Sequence, residues 1–173
     1  MSPPTDDINL SRRAFMRGAS LSRARQASLG PAPPWHQGKL EIDRCQHCDA
    51  PCVSACEQSI IKRHPDSHLL AGVPYLSFEE RGCTFCGECV TACPMALDAK
   101  QAEPKLGLVK LEIATCLAWN GVFCISCRSH CDYAAISLDV RMRVQLNEDA
   151  CNGCGRCLAV CPNQSLHFHP KGD

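Results

Sequence analysis

The chain has 173 residues and carries 18 basic and 18 acidic side chains, so its formal net charge is zero. This balance indicates no nucleic-acid partner, and the lack of any run of about 18 apolar residues excludes stable membrane insertion. Five Phe, two Tyr and two Trp are too few aromatic residues to fill two small cores. Sixteen cysteines instead indicate a covalent or metal scaffold.

The N-terminal residues form a basic segment, which we predict to be flexible over residues 1–38. Within 11–30 there is no acidic side chain, and the basic ones are Arg12, Arg13, Arg17, Arg23 and Arg25. Ser11-Arg12-Arg13 resembles a twin-arginine export motif, but the residues after it are too polar for an export core. We therefore expect an uncleaved segment and a cytoplasmic protein. Three interpretations of this segment remain open: a disordered tail, a docking segment for an acidic partner surface, or a helix on a membrane surface.

The sixteen cysteines lie in four groups of four along the chain. Group one is Cys45, Cys48, Cys52 and Cys56, and group two is Cys83, Cys86, Cys89 and Cys93. Group three is Cys116, Cys124, Cys127 and Cys131, and group four is Cys151, Cys154, Cys157 and Cys161. Disulfides are an unfavourable explanation, because no secretory signal indicates an oxidising compartment.

Groups two and four have the spacing C-x2-C-x2-C-x3-C-P, which is typical of bacterial [4Fe–4S] sites. Three closely spaced cysteines let a short loop bind three irons, and Gly87, Gly153 and Gly155 let the backbone approach the cluster. Zinc sites use two separated cysteine pairs, and four cysteines within eleven residues do not match that arrangement.

Groups one and three are less regular. Group one has one extra residue between Cys48 and Cys52, and group three opens with a gap of seven residues between Cys116 and Cys124. The number of cysteines still suits a [4Fe–4S] cluster in each group. Zinc or an empty site remains the alternative. All sixteen cysteines are thus candidate iron ligands for up to four [4Fe–4S] clusters.

The segments between the groups predict two hairpins. Ser59–Arg63 with Val73–Phe78 follows group one, and Ala135–Val140 with Met142–Leu146 follows group three. The latter pair alternates apolar and polar residues, as expected for half-buried strands. Each pair of groups therefore predicts a cluster loop, a short helix, a hairpin, a second loop and a second helix. Glu103–Gly107 is the predicted boundary between the two units.

This arrangement resembles two bacterial two-[4Fe–4S] ferredoxins in tandem, and more narrowly the NapF family of ferredoxin-type accessory proteins of periplasmic nitrate reductase. The resemblance covers nearly the whole chain. It rests on Ser11-Arg12-Arg13, on Pro33-Pro34-Trp35, on the order of the groups and on the long gap between Cys116 and Cys124. It implies an α+β fold with modules at 39–103 and 106–173.

In such ferredoxins the fourth cysteine of each motif ligates the other cluster of the pair. The resemblance therefore implies that Cys93 joins Cys45, Cys48 and Cys52, and that Cys56 joins Cys83, Cys86 and Cys89. In the same way, Cys161 joins Cys116, Cys124 and Cys127, and Cys131 joins Cys151, Cys154 and Cys157. We expect Trp35 and Trp119 to act as packing residues rather than electron relays.

The residues alone support only an electron carrier. The family resemblance implies a cytoplasmic accessory protein that is not an enzyme and that binds the precursor of the catalytic molybdenum subunit. It would assist maturation of that subunit, at its [4Fe–4S] cluster, by supplying electrons or cluster components, with the five arginines as the partner-binding candidates. The alternative is an electron-transfer subunit of a respiratory nitrate-reduction chain.

Overall fold

The computed structural model describes residues 29–36, 40–95 and 104–170. The five arginines of the predicted docking segment, and residue 103 at the predicted module boundary, lie outside these residues. Within the described part of the chain, no helix is long and apolar enough to cross a membrane. We call residues 40–95 the first half and residues 104–170 the second half.

The first half consists of short helices around one hairpin. In chain order its elements are α1 (Ile42–Gln46), α2 (Pro51–Ser54), β1 (Ile61–Arg63), β2 (Pro74–Leu76) and α3 (Glu88–Thr91). The strands β1 and β2 pair antiparallel, with Ile61 opposite Leu76, which confirms the predicted hairpin. Helices of four or five residues are far too short to be stable alone. They therefore depend on their cysteines and on packing against the core.

The second half repeats this order and adds a second sheet. Its elements are β3 (Gly107–Leu111), a 3-10 helix (Leu117–Asn120), α4 (Ser126–Ser129), β4 (Ile136–Leu138), β5 (Val144–Leu146), α5 (Arg156–Ala159) and β6 (Leu166–Pro170). The hairpin β4–β5 is as predicted. The pairing of β3 with β6, from Gly107 opposite Pro170 to Leu111 opposite Leu166, was not predicted. It joins the two ends of this half.

Residues 29–36 form a strap that packs on the hairpin of the first half, although the sequence placed them in the flexible segment. The amide of Leu76 donates to the carbonyl of Pro31 at 2.8 Å, and Pro33 and Pro34 are buried. His64 Nδ1 donates to the Val73 carbonyl at 2.8 Å, and its Nε2 accepts from the Leu29 amide at 3.2 Å. Burial lowers the pKa of His64, which favours the neutral ring that these two contacts require.

The two halves are in direct contact. The amide of Cys83 donates to the carbonyl of Cys154 at 2.7 Å, and the rings of Phe78 and Phe168 have centroids 5.3 Å apart. The buried cluster of the first half includes Cys154 from the second half, and the partly buried Phe168 of the second half packs against this cluster. The halves therefore share apolar surface.

Candidate metal centres

Four short helices place the third cysteine of each group in the interior. Cys52 lies in α2, Cys89 in α3, Cys127 in α4 and Cys157 in α5, and all four are buried. The residue before α3 is Gly87 and the residue before α5 is Gly155, both in the left-handed conformation that glycine adopts without strain. These glycines turn the chain sharply into the helix between the second and third cysteines of the group.

Group one makes the same turn without glycine, a feature that the sequence did not predict. Ala50 has φ of 54° and precedes α2, so the left-handed turn of groups two and four recurs here on alanine. In group three, Ile125 precedes α4 with φ of −126° and does not make this turn. The extra residue of group one is therefore accommodated before α2, and the third cysteine still reaches the interior.

The long gap of group three folds into the 3-10 helix Leu117–Asn120, followed by Gly121 in the left-handed conformation. The Asn120 side chain donates to the Cys116 carbonyl at 2.8 Å. Trp119 donates its indole N–H to the Val144 carbonyl at 2.9 Å, and the Arg143 guanidinium lies 4.4 Å from the Trp119 ring centroid. These contacts hold the inserted loop on the β4–β5 hairpin and bring Cys116 beside the rest of its group.

The structure brings the cysteines together in four crossed sets, and we call them sites I to IV. Site I contains Cys45, Cys48, Cys52 and Cys93, whose thiols act electrostatically on one another. Site II contains Cys56, Cys83, Cys86 and Cys89. Site III contains Cys131, Cys151, Cys154 and Cys157. Site IV contains Cys116, Cys124, Cys127 and Cys161. These are the sets that crossed ligation predicts, and their role as iron ligands stays a prediction.

The four sites follow one another in a row. Cys52 of site I lies close enough to Cys89 of site II to raise its pKa. Cys154 of site III likewise raises the pKa of Cys83 of site II. Cys127 of site IV in turn lies close enough to Cys157 of site III to raise its pKa. The order along this row is I, II, III and IV, and the contact between the two halves lies between sites II and III.

Burial strongly affects the thiols of these sites. Desolvation, with the neighbouring thiols as a smaller cause, raises the pKa of Cys52 to about 11 and that of Cys89 and Cys157 to about 12. Burial also raises the pKa of Cys83 to about 12 and that of Cys127 to about 11. Buried thiolates therefore need a positive partner, and iron is such a partner because it binds cysteine as the thiolate.

Three of the sites each line an apolar cavity. The cavities of sites II, III and IV contain about 340, 370 and 330 Å³ of space free of protein atoms, part of which is open to solvent. All sixteen cysteines are free of disulfides, so each cavity offers four sulfur donors among apolar side chains. Four thiolates around one apolar space are the donor set that a [4Fe–4S] cluster takes, and the residues present fit this group.

Comparisons with known proteins agree with this chemistry. Residues 44–97 match the 4Fe-4S dicluster domain, and residues 124–170 match the LdpA Fe-S cluster-binding domain. The ferredoxin-type protein NapF of Escherichia coli strain K12 is 36% identical over 172 residues, which cover 94% of this chain and 99% of that protein. NapF of Haemophilus influenzae is 33% identical over 91% of this chain and 93% of its own length. Its ferredoxin-type protein NapG is 32% identical, over 89% of this chain and 69% of its own length. The chain carries [4Fe–4S] clusters.

Proposed function

Because this chain belongs to the NapF family of ferredoxin-type proteins, we propose that it is an accessory protein of periplasmic nitrate reductase. It binds the precursor of the catalytic molybdenum subunit in the cytoplasm and assists its maturation at the [4Fe–4S] cluster of that subunit, by supplying electrons or cluster components. It is not itself an enzyme. The observation that carries the proposal is the similarity to NapF over nearly the full length of both proteins.

The sixteen cysteines are the proposed iron ligands, with one cluster at each of sites I to IV. The tandem modules 39–103 and 106–173 would then hold two clusters each. Support comes from the crossed sets, from the apolar cavities and from the match of cluster-binding domains in both parts of the chain.

The residues of the chain perform three tasks at these sites. The cysteines give up their protons when they bind iron, and the apolar side chains that line sites II, III and IV limit the access of water. The left-handed turns before α2, α3 and α5 hold the thiols in place. When bound, [4Fe–4S] clusters supply one-electron transfer at low potential.

The proposed partner-binding element is the segment with Arg12, Arg13, Arg17, Arg23 and Arg25. Each oxidised cluster with four thiolates carries about −2, so four clusters would bring a chain of zero formal charge to about −8. A basic segment on an acidic protein could bind an acidic partner surface that the rest of the protein repels. Such binding weakens as salt shortens the range of the attraction.

Deletion of the gene tests the maturation role. We expect the reductase polypeptide to remain present but to be low in activity and in cluster content, measured with an artificial electron donor and by iron analysis. A catalytic subunit that is fully loaded and active on the artificial donor in the deletion strain would exclude maturation. In that case the chain is better explained as an electron-transfer subunit of a respiratory chain. Only nitrate reduction that uses the physiological electron donor would then decrease in the deletion strain.

Replacing the five arginines with glutamine tests the docking segment. We expect weaker binding to the precursor, with the iron content of this protein unchanged because the segment holds no cysteine. The matched control replaces five exposed basic residues of the described part, namely Lys62, Arg81, Lys110, Arg128 and Arg141. It removes the same charge and should bind as wild type does. Equal binding by both variants, measured at low salt, would assign no docking role to the segment.

A further inference from the structure

The two tryptophans of the chain differ in one respect. Trp119 donates its indole N–H to the Val144 carbonyl at 2.9 Å. The indole N–H of Trp35 is removed from solvent, but it has no hydrogen-bond partner among the described residues. A buried donor without an acceptor is destabilising, so an unpaired buried donor calls for an explanation.

The position of Trp35 supplies one. Trp35 lines the cavity of site II together with Cys56, Cys83, Cys86 and Cys89. Its ring also meets the Phe85 ring edge-on, at 6.2 Å between centroids. Most of the remaining lining is apolar, and the polar Thr84 and Gln58 are exposed and partly exposed, respectively. The unpaired indole N–H therefore belongs to a side chain that borders four sulfur atoms.

The backbone of Trp35 is held in an unfavourable conformation. Residues 33–36 form a turn in which the His36 amide donates to the Pro33 carbonyl at 3.2 Å. Trp35 has φ of 62° at the third position of this turn, where glycine or asparagine is favoured. A bulky residue there is a genuine outlier, and such strain persists only where the surroundings enforce it. Here Pro33 and Pro34, which precede Trp35 in the turn, and His36, which follows it, are all buried, so the strap is held on both sides of Trp35.

We propose that Trp35 donates its indole N–H to a sulfur atom of the iron–sulfur cluster at site II and raises the reduction potential of that cluster. Hydrogen bonds to the sulfurs are among the factors that set such potentials, and a donor stabilises the more negative, reduced state. The strap then contributes a ligand-shell hydrogen bond as well as packing. This inference depends on the assignment of the four cysteines to site II proposed above.

The test is a redox titration of the anaerobically purified protein with dithionite, followed by electron paramagnetic resonance. Trp35→Phe keeps the ring and removes the donor. We expect one cluster to move to lower potential, with about a tenfold loss in its preference for the reduced state, which corresponds to about 59 mV. The other signals should stay in place. Trp119→Phe removes an indole N–H that bonds a backbone carbonyl beside site IV, so any shift that it causes should fall on a different cluster from the one that Trp35→Phe moves.

Iron analysis separates this inference from the ligand assignment. If Trp35→Phe retains all its iron and no potential shifts, Trp35 only packs against the site and the inference is wrong. If the variant loses a cluster, the wild-type protein with ¹⁵N-labelled indole decides the matter. Pulsed resonance should then detect ¹⁵N coupled to a reduced cluster in wild type and in Trp119→Phe. Absence of that coupling overturns the inference.

Discussion

Replacement of Cys93 with serine is expected to remove the cluster of site I, although Cys93 belongs to group two in the sequence. The Cys93 thiol lies close enough to Cys45 and Cys52, both of group one, to raise the pKa of each. A [4Fe–4S] cluster holds four irons, so the variant should lose about four irons per chain. Cys48→Ser should lose the same four, and Cys86→Ser should lose the four of site II.

Double variants make this assignment testable by iron counting alone. If ligation is crossed, Cys93→Ser with Cys48→Ser loses no more iron than either single variant, because both cysteines serve one cluster. Cys93→Ser with Cys86→Ser should lose about eight irons. A loss of about eight irons in Cys93→Ser with Cys48→Ser, and of only about four in Cys93→Ser with Cys86→Ser, would show that the four cysteines of each linear group bind one cluster. Cys161 with Cys124, and Cys161 with Cys154, offer the same comparison in the second half.

A methyl group at Gly155 is expected to destabilise the contact between the two halves. Gly155 has φ of 77°, and a Cβ atom there would overlap the Phe78 ring, which itself lies against Phe168. We expect Gly155→Ala to cost about 1–2 kcal/mol for the left-handed backbone and about 1–3 kcal/mol more for overpacking. Guanidinium unfolding under anaerobic conditions, followed by circular dichroism, measures the sum.

Gly121 provides the matched control. Its φ of 81° is nearly the same, but a Cβ atom there would meet nothing within 4 Å. Gly121→Ala should therefore show only the backbone cost, and the difference between the two variants isolates the contact with Phe78. Equal losses of stability in Gly155→Ala and Gly121→Ala would mean that the halves are not held together at this point.

Local patterns predicted much of this fold, because the relevant signals lie within a few residues. The alternation in residues 135–146 predicted the β4–β5 hairpin, and the spacing of groups two and four predicted their loops. The pairing of β3 with β6 is different, since Gly107–Leu111 and Leu166–Pro170 are far apart in the chain. Each strand shows some alternation of apolar and polar residues, but neither sequence identifies the strand with which it pairs.

The strap was mispredicted for a related reason. Pro33-Pro34-Trp35 follows a basic segment and carries no periodicity, so nothing local indicates burial. Its packing depends on the distant residues Leu76 and His64. The left-handed Ala50 was also beyond sequence reasoning, because alanine gives no signal for positive φ. The role proposed for Trp35 depends on this long-range packing.

Iron, sulfide and zinc analysis of the protein, purified anaerobically from its native host, tests the central claim most directly. Four clusters on sixteen cysteines predict about sixteen irons and about sixteen sulfides per chain, with little zinc. Stoichiometric zinc without sulfide would contradict the account. About eight irons would contradict it in part, because only two of the four sites would then hold a cluster.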